Sequence, residues 1–384
     1  MSRIHLLTSS PPAVEGHGGQ HRTYQILHDL RQTPGVSEVE VFSSERYYHQ
    51  YRHDRGLRAR FFRAAAALHM RIALLRDNPL RLLRRNNYAR RIYGGWRVVG
   101  DYRRLIAHKR PDLCVFDHTR FYPILRLNKR LGIPTIAACH NLDALHGRSS
   151  PHDPLQIRSM LLDFGLELDA LRQTEARLCI SRVETAVLNG LGYPARYYPY
   201  WPVGQIAEVL ARTRARRQPQ KGLFLILGSL YNDISREGVE NFLGEALRRG
   251  LPEGVQIKGI GRGWERFSQQ TQNLPQLEAH GFVPQETLED YLSRAQGVLI
   301  LTQSGFGVLT RLAEMSASGV PVICFPHPMY AIDPLPGITT VENWDKLWDA
   351  LQRPVPEPIP ALEVNQGESI LSQTVRWILG TGQS

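Results

Sequence analysis

Short apolar runs alternate with amphipathic stretches along most of the chain. RIHLLTSS, at the N-terminus, is a strand-like run, PPAVEGHGG is turn-rich, and QHRTYQILHDLRQ carries Tyr24, Leu27 and Leu30 at helical spacing. VEVFSS follows the helix-ending Pro34-Gly35, and LCVFD (113–117), PTIAACH (134–140) and LCIS (178–181) are further strand-like runs. Strands that alternate with helices predict a parallel sheet covered on both faces, an α/β class. A second alternating series starts at GLFLILGS (222–229) and continues through VQIKGIG (255–261), LEAHGFV (277–283), GVLILT (297–302) and VPVICFP (320–326). The intervening RTRARRQPQK (212–221) is polar and basic, as a linker would be. The pattern therefore predicts two Rossmann-like halves: residues 1–204, a linker over 205–221, and 222–370. The closing segment 371–384 has Val375, Ile378 and Leu379 at helical spacing.

Two amphipathic stretches interrupt the first half. Leu57, Phe61, Ala65, Leu68, Ile72 and Leu75 form one stripe; Tyr88, Ile92, Trp96, Val99, Tyr102 and Ile106 form another, beyond the Asn78-Pro79 break. Charge changes how this insertion is read. Residues 51–110 hold 16 Arg and one Lys against three Asp, a net of +14, whereas the whole chain is +11. The basic character thus belongs to one segment, and blocks this dense usually meet something anionic. A solvated face, an anionic membrane surface and an anionic polymer all remain open at this point.

Composition narrows the class. At 384 residues and 42% hydrophobic, the chain is long enough for two cores and too apolar for disorder. Nothing approaches 18 consecutive apolar residues, so no membrane-spanning helix is expected. The N-terminal apolar core is too short for a signal peptide, which makes the cytoplasm the expected compartment. Cys114, Cys139, Cys179 and Cys324 are scattered through apolar runs without metal-ligand spacing and read as buried free thiols.

Three glycine-bearing turns carry the candidate chemistry. GHGGQHR (16–22) follows the first strand and precedes a helix, where Gly18 and Gly19 let backbone approach a phosphate, although the spacing is not G-x-G-x-x-G. Gly228 and Ser229 end the first strand of the second half. The most specific stretch is GFVPQETLEDYLSRAQGVLILTQSGFGVLTRLAEMSASGVPVI (281–323). In it the turn Ser304-Gly305-Phe306-Gly307 leads into a helix of about ten residues carrying Arg311 and Glu314, with Leu309, Leu312 and Ala313 toward the sheet. Arg suits a diphosphate and Glu suits a ribose diol; a surface ion pair is the competing interpretation.

These residues resemble the donor-binding half of GT-B glycosyltransferases, glycosyltransferase family 4 in particular. That family pairs a Gly-Phe-x at a strand end with a glycine-rich turn, a helix carrying Glu, and a small-residue Gly-x-Pro-Val-Ile; here these stand as GFV, SGFG, Glu314 and SGVPVI. The first half matches more loosely, through Gly18-Gly19, AACHNLD and ISRVETAVLNGLG (180–192). The resemblance implies two Rossmann-like domains with parallel sheets facing across a cleft, the last helix returning to the first domain. It implies retaining transfer from a nucleotide-diphosphate sugar as co-substrate, with no cofactor and no metal. It places Glu314 on the ribose, Arg311 near the diphosphate, and His140 beside the donor sugar. Gly18 and Gly19 would lie under the phosphates or the acceptor. Phe282 and Val283 would hold the base, and Gly305, Phe306 and Gly307 would offer backbone N–H groups to sugar and phosphate.

The chain also departs from the family. Ser304 stands where relatives carry the first Glu of a Glu-x7-Glu pair, and the basic pair after the Gly228 turn is missing. An inverting transferase, an epimerase, a degenerate relative and a basic anionic-polymer binder therefore stay open. A glycan or lipid-linked acceptor and an anionic membrane surface at 51–110 are the expected partners; no nucleic-acid motif accompanies the Arg cluster.

Overall fold

A computed structural model describes residues 1–44, 96–145, 154–231, 233–304, 307–361 and 367–380. The first amphipathic stripe, most of the Arg-rich segment, and Gly305 and Phe306 lie outside the described residues. The chain divides into two compact units. One comprises Met1–Ala13, Gly19–Pro199 and Gly367–Ser384; the other comprises Val14–Gly18 and Tyr200–Gln366.

In the first unit the chain runs β1 (Ser2–Thr8), α1 (Gly18–Gln32), β2 (Val36–Ser43), α2 (Trp96–His108), β3 (Leu113–Phe116), α3 (Tyr122–Arg130) and β4 (Thr135–Cys139). It continues through α4 (Pro154–Leu171), β5 (Ala176–Cys179), α5 (Arg182–Gly190) and β6 (Arg196–Tyr197). The strands pair in parallel in the order β2-β1-β3-β4-β5-β6. Every residue of β3 and β4 is buried, as a sheet covered on both faces requires. His5 on β1 is fully buried, edge-on to Tyr102, and burial pulls its imidazole down to about 4, so it stays neutral in the core.

The second unit runs α6 (Gly204–Ala215), β7 (Gln220–Leu227), α7 (Asp233–Arg249), β8 (Gln256–Ile260), α8 (Ser268–Gln272), β9 (Leu277–His280), α9 (Gln285–Arg294) and β10 (Ala295–Ile300). It ends with α10 (Thr310–Ser318), β11 (Val322–Cys324), β12 (Ile338–Thr340) and α11 (Trp344–Leu351). Its sheet order is β12-β11-β10-β7-β8-β9, again parallel, with the direction of strand addition reversing between β7 and β10. The last helix, α12 (Ile370–Ile378), belongs to the first unit. Its Leu371 and Val375 are fully buried in one cluster with Ile4, Leu6, Ile26 and Leu30.

The stretch expected as a linker is largely helix. Ile206, Leu210 and Thr213 of α6 are buried at helical spacing, and Arg214 in it and Arg217 just after it cap other helices. Arg214 donates to the carbonyls of Ser316 and Ala317 at the end of α10, at 2.7 and 2.8 Å. Arg217 donates to those of Leu292 and Ala295 near the end of α9, at 2.5 and 2.7 Å. Basic side chains on the last carbonyls of helices satisfy orphan acceptors and oppose the dipole, so this charge is structural. All four cysteines are free and buried, and burial pushes the Cys114, Cys179 and Cys324 thiols up to about 12.

Candidate functional site

In open parallel sheets, ligands gather beyond the carboxyl ends of strands where strand order reverses. In the second unit that place lies beyond β7. Gly228 follows β7 at φ +132°, and an added Cβ would stand 2.5 Å from Arg311 Nη2. The guanidinium therefore packs closely against the Gly228 backbone, with Nη1 donating to the Leu227 carbonyl. Gly261, after β8, has φ +133°, and its Cβ would meet the Gly228 carbonyl at 2.2 Å. Backbone bonds extend the ladder past the strands: Gly228 N–H to Ile260 at 2.9 Å, Leu230 N–H to Arg262 at 2.8 Å, and Gly261 N–H to Gly281 at 3.1 Å. Gly228 and Gly261 thus form a close-set floor that side chains would break, with Gly281 bonded at its edge.

Above this floor, α10 supplies the charged groups. Leu312 and Ala313 are buried, and the cap residue Leu309 packs against the apolar cluster that holds Leu312. Leu309 offers no side-chain acceptor to the first N–H groups of α10. Arg311 is half-buried; burial draws its guanidinium below the ordinary range, while Glu314 raises it. An Arg remains charged under such a shift. Glu314 accepts from the Tyr200 hydroxyl at 3.0 Å, which fixes its carboxylate. Tyr200, 4% exposed, is a site residue that the hydrophobic pattern gave no reason to choose.

The remaining expected donor residues spread around the floor. Phe282 is 74% exposed, with the Arg262 guanidinium 5.7 Å from its ring centroid, whereas Val283 turns toward the core. Ser229 is exposed and accepts from the Tyr231 N–H at 3.4 Å; Ser304 and Gly307 are half-buried.

The first unit carries its own cluster at the ends of β1, β3 and β4. Asp117, fully buried, accepts at Oδ2 from the Thr8 and Thr23 hydroxyls, the latter at 3.0 Å. His140 follows β4; its Nε2 lies 3.2 Å from Thr23 Oγ1 and 3.4 Å from Asp117 Oδ2. His118 Nδ1 is 3.2 Å from Asp143 Oδ2, and the His118 and His140 rings meet edge to face at 4.8 Å. Gly18 opens α1, and Gly19 lies in its first turn with its carbonyl 3.1 Å from Thr23 Oγ1. Of the first unit's cluster only His140 and Gly19 were expected, and Gly18, also expected, is counted with the second unit; the FDH at 116–118, polar residues ending an apolar run, was the signal for Asp117 and His118.

Two buried glutamates hold the loop after β4. Glu167 accepts from Thr119 Oγ1 at 2.9 Å and from the N–H groups of Asp143 and Ala144 at 2.9 and 3.0 Å. Glu184 accepts from the Leu142 N–H at 2.8 Å. Burial, reinforced at Glu167 by Asp143, pushes both carboxyls up to about 8. A carboxyl raised in the folded state favours folding below its unfolded value, and that contribution is lost as pH climbs toward 8. Glu184→Gln keeps the acceptor for Leu142 and removes one titration. Thermal melts from pH 5 to 8.5 are expected to fall less steeply for the variant, by at most about 5 kcal/mol across the window. Parallel melting curves would show that Glu184 does not titrate there.

No protein-family model and no curated protein sequence matches the chain. Solved structures do. Sucrose-phosphate synthase from Thermosynechococcus elongatus aligns over 99% of this chain and 94% of its own, at 15% identity and TM-score 0.60. The apo lipopolysaccharide outer core galactosyltransferase WaaB aligns over 98% and 95%, at 16% and 0.52. HepE from Anabaena, solved with UDP and glucose, aligns over 99% and 95%, at 12% and 0.52. The fold is GT-B. Within GT-B, the Gly228–Arg311–Glu314 group occupies the second Rossmann-like unit and the Asp117–His140 cluster the first. No helix among the described residues is long and apolar enough to cross a membrane.

Proposed function

We propose that the chain is a glycosyltransferase of the family 4 type, moving a sugar from a nucleotide-diphosphate donor to an acceptor with retention of configuration. The observation that carries this is the pairing on α10 of one cation seated on Gly228 and one carboxylate fixed by Tyr200, at the end of the switch-point strand. HepE, which shares the fold, was solved with UDP and with UDP-glucose. In this scheme Glu314 holds the ribose, Arg311 faces the diphosphate, and the exposed Phe282 with Arg262 forms the platform for the base. Ser304 to Gly307 contact phosphate and sugar, and His140 stands beside the sugar, with Gly18 and Gly19 near phosphate or acceptor. The leaving nucleoside diphosphate gains charge as the glycosidic bond breaks; Arg311 and the N-terminus of α10 are the preorganised groups that meet it, so no metal is needed.

Titration with UDP, GDP, dTDP and ADP is expected to give saturable binding of at least one, lost in Glu314→Ala. Absence of binding for all four would overturn the donor assignment, and NMR of the product anomer decides retention against inversion. The acceptor is proposed to be a glycan or lipid-linked anionic molecule, met at a membrane surface through the basic segment 51–110. Each Lys or Arg near an anionic surface adds about 1 kcal/mol. Vesicle flotation is expected to recover the protein with anionic but not neutral lipid at low salt; equal recovery would refute electrostatic docking.

A further inference from the structure

We propose that Asp117, His118 and His140 hold a divalent transition cation of the zinc class, with Asp143, Thr8 and Thr23 as the shell that orients the ligands. The three side chains each bring a ligand atom within 4.8 Å of the others, and all three are buried. A tetrahedral site with bonds of about 2.0–2.1 Å places ligand atoms roughly 3.4 Å apart. The Asp117 Oδ2 to His140 Nε2 pair already stands at 3.4 Å. His118 completes the set, with its ligand atom within 4.8 Å of both.

The surrounding groups are those a metal site uses. A metal-bound histidine commonly directs its second nitrogen at a carboxylate, which sets its tautomer and raises its basicity. His118 Nδ1 is so placed against Asp143 Oδ2, at 3.2 Å, which leaves Nε2 for the cation. Asp143 is itself fixed through its N–H to the buried Glu167 at 2.9 Å. Asp117 takes hydroxyl donors from Thr8 and Thr23 and the Ser9 N–H at 3.4 Å, so its orientation is set as well. Two imidazoles and one carboxylate suit zinc-class ions over calcium or magnesium, which prefer all-oxygen sets. The fourth position is left to water or a ligand. Spacing in the sequence hides the set, since Asp117 and His140 arrive on different strands.

The cation is an inhibitor, since it would tie up His140, the residue proposed to stand beside the donor sugar. That clause alone rests on the sugar-transfer assignment. The site is tested by titrating the whole chain with Co2+, followed by its visible absorption, and by competing Zn2+ from a chromophoric indicator. One equivalent is expected to bind. Asp143→Asn should weaken binding by about 10–100-fold, and His118→Gln and His140→Gln at least as much. Asp117→Asn is judged only if its melting curve matches the parent; His118, the most exposed of the three, keeps the test open otherwise. No binding at micromolar metal, or undiminished binding by His118→Gln, overturns the site. If one equivalent of zinc binds yet donor turnover is unchanged, His140 is not used in transfer and the metal site stands.

Discussion

Arg311→Ala is expected to lower kcat/KM for the nucleotide-sugar donor by about 100- to 1,000-fold, the scale on which one preorganised donor to developing charge contributes. The side chain is anchored by the Leu227 carbonyl and packed on Gly228, so its charge arrives without reorganisation. Lysine should not rescue it, because a point ammonium cannot both bind that carbonyl and present a fork to a diphosphate. Gly228→Ala tests the seating separately. The added methyl would stand 2.5 Å from Nη2 and 3.0 Å from Nη1, at a φ that alanine resists, and should displace the guanidinium. Much of the Arg311→Ala loss should therefore appear in Gly228→Ala, with a double variant scarcely worse than Arg311→Ala. Losses that multiply, in variants with parental circular dichroism, would show that Gly228 acts by some other route.

The strand–helix alternation was legible because apolar periodicity reports which face of each element is covered. It located β1, β3, β4, β7 and β10, and the helix bearing Arg311 and Glu314. It could not report which ends meet across the sheet. Thr8 and Asp117 are separated by 109 residues, Thr23 and His140 by 117, and Tyr200 and Glu314 by 114. The first two pairs are brought together by the order of β1, β3 and β4, and the third by the packing of α10, none of which a local pattern encodes. The family resemblance therefore supplied His140 and Glu314, while their partners Asp117, Thr23 and Tyr200 became visible only in the fold.

Basic residues misled for a related reason. Counted along the sequence, the arginines of 212–217 read as part of a polar, basic linker, yet Arg214 and Arg217 close the ends of α10 and α9. Arg22 is similar: it is buried on the Tyr198 ring at 4.0 Å and donates to the Tyr198 and Pro199 carbonyls at 2.7 and 3.0 Å. Guanidinium groups spent on carbonyls are not available to an anion. Of the arginines around the second sheet, Arg311 differs because its carbonyl bond leaves the charge at the switch point, beside a glycine rather than inside a helix terminus.

His140→Ala is expected to reduce kcat by about 100- to 10,000-fold, the range of a side chain that assists directly at a reacting centre, with nucleoside diphosphate affinity nearly unchanged. The split follows from position: His140 lies in the first unit, held by Thr23 and Asp117, while Glu314, Arg311 and Phe282, the proposed contacts to ribose, diphosphate and base, lie in the second. Thr23→Val should give a smaller loss, because Asp117 still orients the ring while one partner of Nε2 is gone. Arg311→Ala and Glu314→Ala should instead lose nucleotide binding together with turnover. Isothermal titration with the nucleoside diphosphate, paired with steady-state kinetics, separates the two groups. If His140→Ala weakened nucleotide binding and kcat in equal measure, His140 would be a donor-binding residue, and its place beside the transferred sugar would have to be given up.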